Sequence, residues 1–291
     1  MKRVLIGSFV LASAALLLLI FRQRNSPKID VKRDLVYGKA GDTDLRLDLA
    51  MPEAGDGPFP AIVFLHGRGW REGNRREMNH FIEGVAHMGY VGVTVEYRLV
   101  PAARFPAQVE DCKTAVRWLR ANARKYRIHP DHIGAVGFSA GGHLANMLGV
   151  AGRNDGLEGT GGNPDQSSRV QAVVSFFGPT DFTTRDWPED LEKEVIVPFL
   201  GGSFADKPDV YRRASPITYV TRDAPPFLFF HGTEDKLVPV DQSKRLAEKL
   251  KSVGVPARMV ALEGEGHGFT DAGNQMAMKQ MLDFLRERLK H

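Results

Sequence analysis

Gly137-Phe138-Ser139-Ala140-Gly141 is the stretch that decides how the rest of this chain is read. It follows an apolar run, Ile133-Gly134-Ala135-Val136, and leads into His143-Leu144-Ala145-Asn146-Met147-Leu148, which has helical spacing. A G-x-S-x-G between a strand and a helix is expected to be a sharp turn that lifts the serine hydroxyl clear of the backbone. Such a turn is too tight for side chains on either side of the serine, hence the two glycines. The helix behind it aims its positive end at the same point, where developing negative charge is favoured. Taken alone, the pentapeptide is an ordinary strand-to-helix turn. It gains meaning only if a base, an acid and an oxyanion loop stand at matching places.

Working outward, those places are filled. Residues 61–65 are a continuous apolar run, as in a strand covered on both faces, and His66-Gly67-Arg68-Gly69-Trp70 follows it. Backbone N–H groups of Arg68 and Gly69, with that of Ala140, are the expected donors to an oxyanion. Residues 227–230 read as a strand, and His231-Gly232-Thr233-Glu234-Asp235 follows. Asp235 is the expected acid. Glu234 and Asp181, the latter at the end of an earlier strand, compete with it. Residues 257–262 are the last strand expected, and Gly264-Glu265-Gly266-His267-Gly268-Phe269 follows. His267 is the expected base, because a loop after the last strand ends at the same edge as the serine turn. Ser139, Asp235 and His267 then stand in the order serine, acid, histidine.

Between these points strands and helices alternate. Strands are expected at 45–49, 90–95 and 170–177, and helices at 78–88, 107–126, 240–253 and 273–290. Residues 180–222 are broken by Pro188, Pro198, Pro208 and Pro216 and read as an irregular, cap-like insertion. The pattern implies an α/β fold, with a mostly parallel sheet flanked by helices on both faces.

Charge and composition narrow the function. The 291 residues suffice for one large core. The net charge of +4 belongs to the N-terminal tail: residues 1–33 hold seven basic residues and one acidic residue. The remainder holds 32 basic and 34 acidic residues, which speaks against a nucleic-acid partner. Cys112 is the single cysteine. It falls in the apolar stripe of Val109, Val116 and Leu119 and is expected in the core. No cluster has metal-ligand spacing, and no phosphate-binding glycine loop opens the first helix, so neither a metal nor a cofactor is expected.

Val4 to Phe21 is an uncharged run of 18 residues, just long enough to cross a bilayer as a helix. Residues 1–24 are therefore expected to anchor the chain in a membrane with the domain exported, residues 25–32 to be a linker, and residues 33–291 to be the folded domain. Cleavage after Ala12-Ser13-Ala14, giving a secreted protein, is the alternative. It would leave an apolar stub on the mature chain.

Taken together, residues 60–270 resemble the α/β-hydrolase family. They are most similar to its lipase and esterase branch, with an H-G-G-G-W-type oxyanion loop. Further matching stretches are Tyr97-Arg98-Leu99, Phe105-Pro106-Ala107, Gly142-His143 and Gly178-Pro179-Thr180-Asp181. Within that branch the chain is similar to bacterial acetyl-xylan and feruloyl esterase-like enzymes, and more distantly to the hormone-sensitive lipase group. The resemblance implies hydrolysis of small or carbohydrate-linked acyl esters by a serine hydrolase. Arg68 departs from the pattern, since the family usually has glycine there. It keeps its N–H but adds a cation, which either faces the acyl site or points to solvent. Trp70, Phe138 and Trp187 are candidates to line a substrate pocket. Two other functions remain open on the same fold: a serine peptidase and a non-catalytic binding module.

Overall fold

The computed structural model describes residues 27–290. Eight strands form one sheet: β1 (Ile29–Ala40), β2 (Thr43–Pro52), β3 (Phe59–Leu65), β4 (Val91–Val95), β5 (Ile128–Phe138), β6 (Ala172–Phe176), β7 (Phe227–Gly232) and β8 (Ala257–Leu262). Their order is β1-β2-β4-β3-β5-β6-β7-β8. β1, β2 and β4 pair antiparallel, and all pairs from β4 to β8 are parallel.

The apolar runs make the middle of this sheet. Every residue of β4, β6 and β7 is buried. Their side chains alternate between two cores, as the two-residue period of a strand requires. Ala61, Val63 and Leu65 face one core, with the helices Ala107–Ala121 and Ala140–Val150. Ile62 and Phe64 face the other, with the helices Asn79–His87 and Asp271–Leu289. Cys112 lies in the first core, fully buried.

Register sets the site. Leu65 pairs with Gly137, Phe138 with Phe176, and Gly232 with Leu262. The loops after β3, β5, β7 and β8 therefore leave the sheet at one edge.

Two expectations are corrected. Residues 29–32 belong to β1 rather than to a linker. β1 is an edge strand, and charged side chains such as Asp30, Lys32 and Arg33 are tolerated there because one flank meets solvent. It is held by Arg33 to Glu83 at 2.6 Å and by Arg75, which pairs with Asp34 of β1, Asp48 of β2 and Glu96. The helix expected over 107–126 ends at Ala121. Asn122 ends it by bonding its side-chain amide back to the Trp118 carbonyl at 3.0 Å, a local bond that competes with further helix.

Residues 180–222 join β6 to β7. They contain a helical stretch from Glu189 to Leu200, a short helix Pro208–Ala214 and a 3-10 turn Pro216–Tyr219. The expected membrane segment, residues 4–21, lies outside the described residues. Among the described residues no helix is long and apolar enough to cross a membrane.

Candidate active site

Ser139 sits at the top of β5 with φ 54° and ψ −117°. A non-glycine residue held there stores roughly 1–3 kcal/mol of strain. The chain around it has no room for side chains. A β-carbon on Gly137 would lie 2.0 Å from the Gly141 carbonyl oxygen, and one on Gly141 would lie 2.1 Å from the Leu65 carbonyl oxygen. The Ser139 N–H donates to the Phe176 carbonyl at 2.9 Å, which ties the turn to β6.

His267 comes from the loop after β8. Its Nε2 is 2.8 Å from Ser139 Oγ, and its Nδ1 is 2.7 Å from Asp235 Oδ2. The Asp235 side chain is wholly buried. Its Oδ1 accepts from the N–H groups of Leu237 and Val238 at 2.8 and 2.9 Å. Burial alone would raise this carboxyl. Hydrogen bonds from His231 and His267 outweigh it and hold the group well below the usual carboxylate range. The two competitors stand elsewhere. Glu234 is exposed, and Asp181 Oδ1 closes its own turn by accepting from the Thr183 N–H and hydroxyl.

The sequence reading missed His231. Its imidazole is fully buried. Nε2 lies 2.9 Å from the Val238 carbonyl and 3.2 Å from Asp235 Oδ2. Both neighbours are acceptors, so Nε2 carries the hydrogen. Nδ1 accepts from the Ser243 hydroxyl at 2.8 Å. Asp235 is thus gripped between two imidazoles. The available signal was a histidine closing a buried strand four residues before the acid.

Next to the serine turn, Arg68, Gly69 and Trp70 take φ values of 71°, 61° and 58°. Successive left-handed residues turn their N–H groups toward one side. Gly67 lets this loop lie against the serine turn, since a β-carbon there would meet the Phe138 carbonyl oxygen at 2.8 Å. Ala140 is the first residue of its helix, so its N–H has no acceptor within the helix. Gly69 and Ala140 line the same small cavity as Ser139 and His267. Arg68 is not among the lining residues. Its side chain turns away, and Nε donates to Glu77 at 3.1 Å.

Of the aromatic candidates, Trp70 and Trp187 line the cavity. Phe138 does not. It stacks between Phe176 and Phe81, at 4.5 and 5.3 Å, in the core on the other face of the sheet. A roomier groove of about 560 Å³ lies near Leu148–Arg153 and Tyr219, away from the serine. Several of its polar groups are engaged, as where the Ser168 hydroxyl donates to Glu158 and the Tyr219 hydroxyl to the Arg213 carbonyl. The small cavity, not this groove, holds the reactive groups. Among the described residues no three His, Cys, Asp or Glu side chains stand together as a metal site.

The geometry has clear relatives. Esterase LipC of Mycobacterium tuberculosis is 35% identical over 219 residues, which cover 73% of this chain and 53% of LipC. A truncated form of a carbohydrate esterase from gut microbiota superposes with a TM-score of 0.82 at 29% identity, covering 92% of this chain and 99% of that one. Thermogutta terrifontis esterase 2, phosphonylated by sarin, superposes with a TM-score of 0.78 at 28% identity, covering 90% and 96%. The chain spans just over half the length of the curated relatives it matches. The BD-FAE family model matches residues 47–250, most of the folded domain. The chain therefore belongs to the BD-FAE family, in the esterase and lipase branch of the α/β-hydrolases.

Proposed function

We propose that this chain is a serine carboxylesterase acting on small or carbohydrate-linked acyl esters. Ser139 Oγ attacks the ester carbonyl as His267 Nε2 takes its proton. Asp235 holds the ring in the tautomer whose Nε2 is free to accept, and stabilises the imidazolium that forms. The N–H groups of Gly69 and Ala140, with that of Arg68 beside them, receive the negative oxygen of the tetrahedral intermediate. His267 then protonates the departing alcohol, and water repeats the sequence on the acyl-enzyme.

The observation that carries this reading is the unbroken relay from Ser139 to Asp235 through one imidazole, at 2.8 and 2.7 Å. The names of the relatives support it. LipC is an esterase, and the Thermogutta esterase is phosphonylated by sarin. The test sets p-nitrophenyl acetate beside an aminoacyl amide. Faster ester turnover is expected, and faster amide cleavage would make the chain a peptidase. The anchoring of residues 4–21 in a membrane, with the domain exported, is part of the proposal. N-terminal sequencing of membrane-extracted protein checks it, and a mature chain beginning near Ala15 would replace the anchor by a cleaved signal.

A further inference from the structure

β1 is antiparallel to β2, and β2 to β4, so β1 runs in the same direction as the parallel strands. It therefore starts at the edge of the sheet opposite to the one from which the catalytic loops leave. Ile29 pairs with Pro52, while Ala50 is level with Gly92 and Gly92 with Ile62. Leu65 and Gly137 stand level with each other further up, just below the serine turn. Along the strands, Ser139 is thus roughly 20 Å from the level of Ile29. Pro27 is fixed at that far edge. Its carbonyl lies 2.7 Å from His87 Nδ1, and the Lys28 carbonyl accepts from the Glu53 N–H at 2.9 Å.

The far edge is basic around Pro27. Arg127 donates to the carbonyls of Pro52 and Gly55, beside the start of β1. Arg124 and Lys125 stand exposed on the same turn before β5. Lys290, at the end of the last helix, donates to the Met88 carbonyl at 2.7 Å, one residue from His87. Lys28 itself is exposed. Among the described residues none of these five cations is in an ion pair. Glu53 and Asp56, on the turn between β2 and β3, oppose them, so the balance there is positive. The same sign continues in Arg22 and Arg24, just after the apolar run Val4 to Phe21. Residues 22–26 alone separate that run from Pro27. Such a length of chain spans at most about 20 Å, of which a headgroup layer takes up about 6 Å. Attraction to a charged surface fades within a Debye length of about 8–10 Å. The cations therefore count only if their edge is turned to the surface.

We propose that this edge rests on anionic phospholipid headgroups of the membrane that holds residues 4–21, and that the catalytic edge at Ser139 faces away from the bilayer, toward water. Lys28, Arg124, Lys125, Arg127 and Lys290 supply the lipid contact, since each keeps a charge that no carboxylate compensates. The ester is then one that arrives dissolved and not a lipid of the same bilayer. This rests on the anchored esterase reading above. It adds to that reading the face turned to the membrane and the side from which the substrate comes.

The experiment places the full chain in phosphatidylcholine vesicles, with or without phosphatidylglycerol. Ala54→Cys, exposed at the basic edge, or Glu189→Cys, exposed on the cap, carries a fluorescent donor. The headgroups carry the acceptor. Cys112 is fully buried and does not compete for the label. In anionic vesicles, strong quenching is expected at position 54 and little at 189. Dissolved p-nitrophenyl acetate should be turned over, and p-nitrophenyl palmitate held in the bilayer should not. Joint reversal by Arg124→Glu, Lys125→Glu and Lys290→Glu should shrink the difference in quenching, with folding followed by circular dichroism. A salt series on chains without these reversals should shrink it too. Equal quenching at the two positions, stronger quenching at 189, or faster turnover of the palmitate overturns the proposal. Quenching that neither anionic lipid nor salt changes overturns the headgroup contact. A chain that does not float with the vesicles overturns the anchor and this proposal together, and leaves the esterase reading standing. One that floats but hydrolyses neither ester overturns the esterase reading, while the quenching still decides which edge meets the membrane.

Discussion

Asp235 shows how much one side chain depends on its surroundings. Each of its oxygens is held by N–H groups, two from backbone and two from imidazoles. His231 supplies one of these and does not itself line the cavity. Its contribution runs through the orientation and charge of Asp235. A hydrogen bond to a charged group is worth about 1.5–3 kcal/mol. His231→Leu is therefore expected to lower kcat roughly ten- to a hundredfold with little change in KM. His231→Gln, which keeps a donor, should recover part of the loss. A leucine variant with unchanged kcat would show that His231 only fills space. Ser139, His267 and Asp235 were legible in the sequence because each ends a recognisable strand. His231 and the turned-away Arg68 were not, since their roles depend on partners 4 to 12 residues away that meet them only in the fold.

At the scale of elements, the serine turn is the part most tightly specified. Gly141 stands against the Leu65 carbonyl with no space for a methyl group. Gly141→Ala must push the turn away from β3, and a displacement near 1 Å costs on the order of a hundredfold in rate. The variant is expected to fold and to lose at least that much esterase activity. Wild-type kcat in the folded variant would mean that the turn is not held tightly against β3. The central strands were readable because continuous apolar runs have few other uses. β1 was not, because register shifts between Lys32 and Leu35 and between Val36 and Gly38 break its alternation. Nor was the π-turn at Glu192–Ile196, since one extra residue in a short helical run leaves no mark on the sequence pattern.

For the molecule as a whole, the two-sided core sets the response to acid. His66 and His143 are fully buried, and burial lowers both to about 4. An unfolded histidine titrates near 6.5. Their contribution to stability is thus complete above about pH 6.5 and is lost as pH falls toward 4, because the unfolded chain takes up the protons first. Urea unfolding should weaken over that window by up to about 1.4 kcal/mol per pH unit for each histidine. The depressed carboxyl of Asp235 adds its loss only below about pH 4, where an unfolded aspartate begins to protonate. Flat stability from pH 7 to 4.5 would contradict this. The fold class was legible at this scale from alternation alone. The closeness of cap and oxyanion loop was not, because it arises from packing between segments 123 residues apart.

In the proposed mechanism a hydroxyl, an imidazole and a carboxylate from three loops form one relay that makes Ser139 a nucleophile. Its most direct test is covalent labelling of the folded protein with a fluorophosphonate, followed by peptide mass mapping. One label per chain is expected, on Ser139, and none on a folded Ser139→Ala or His267→Ala variant. A folded wild type that takes no label, or takes it on another residue, would contradict it.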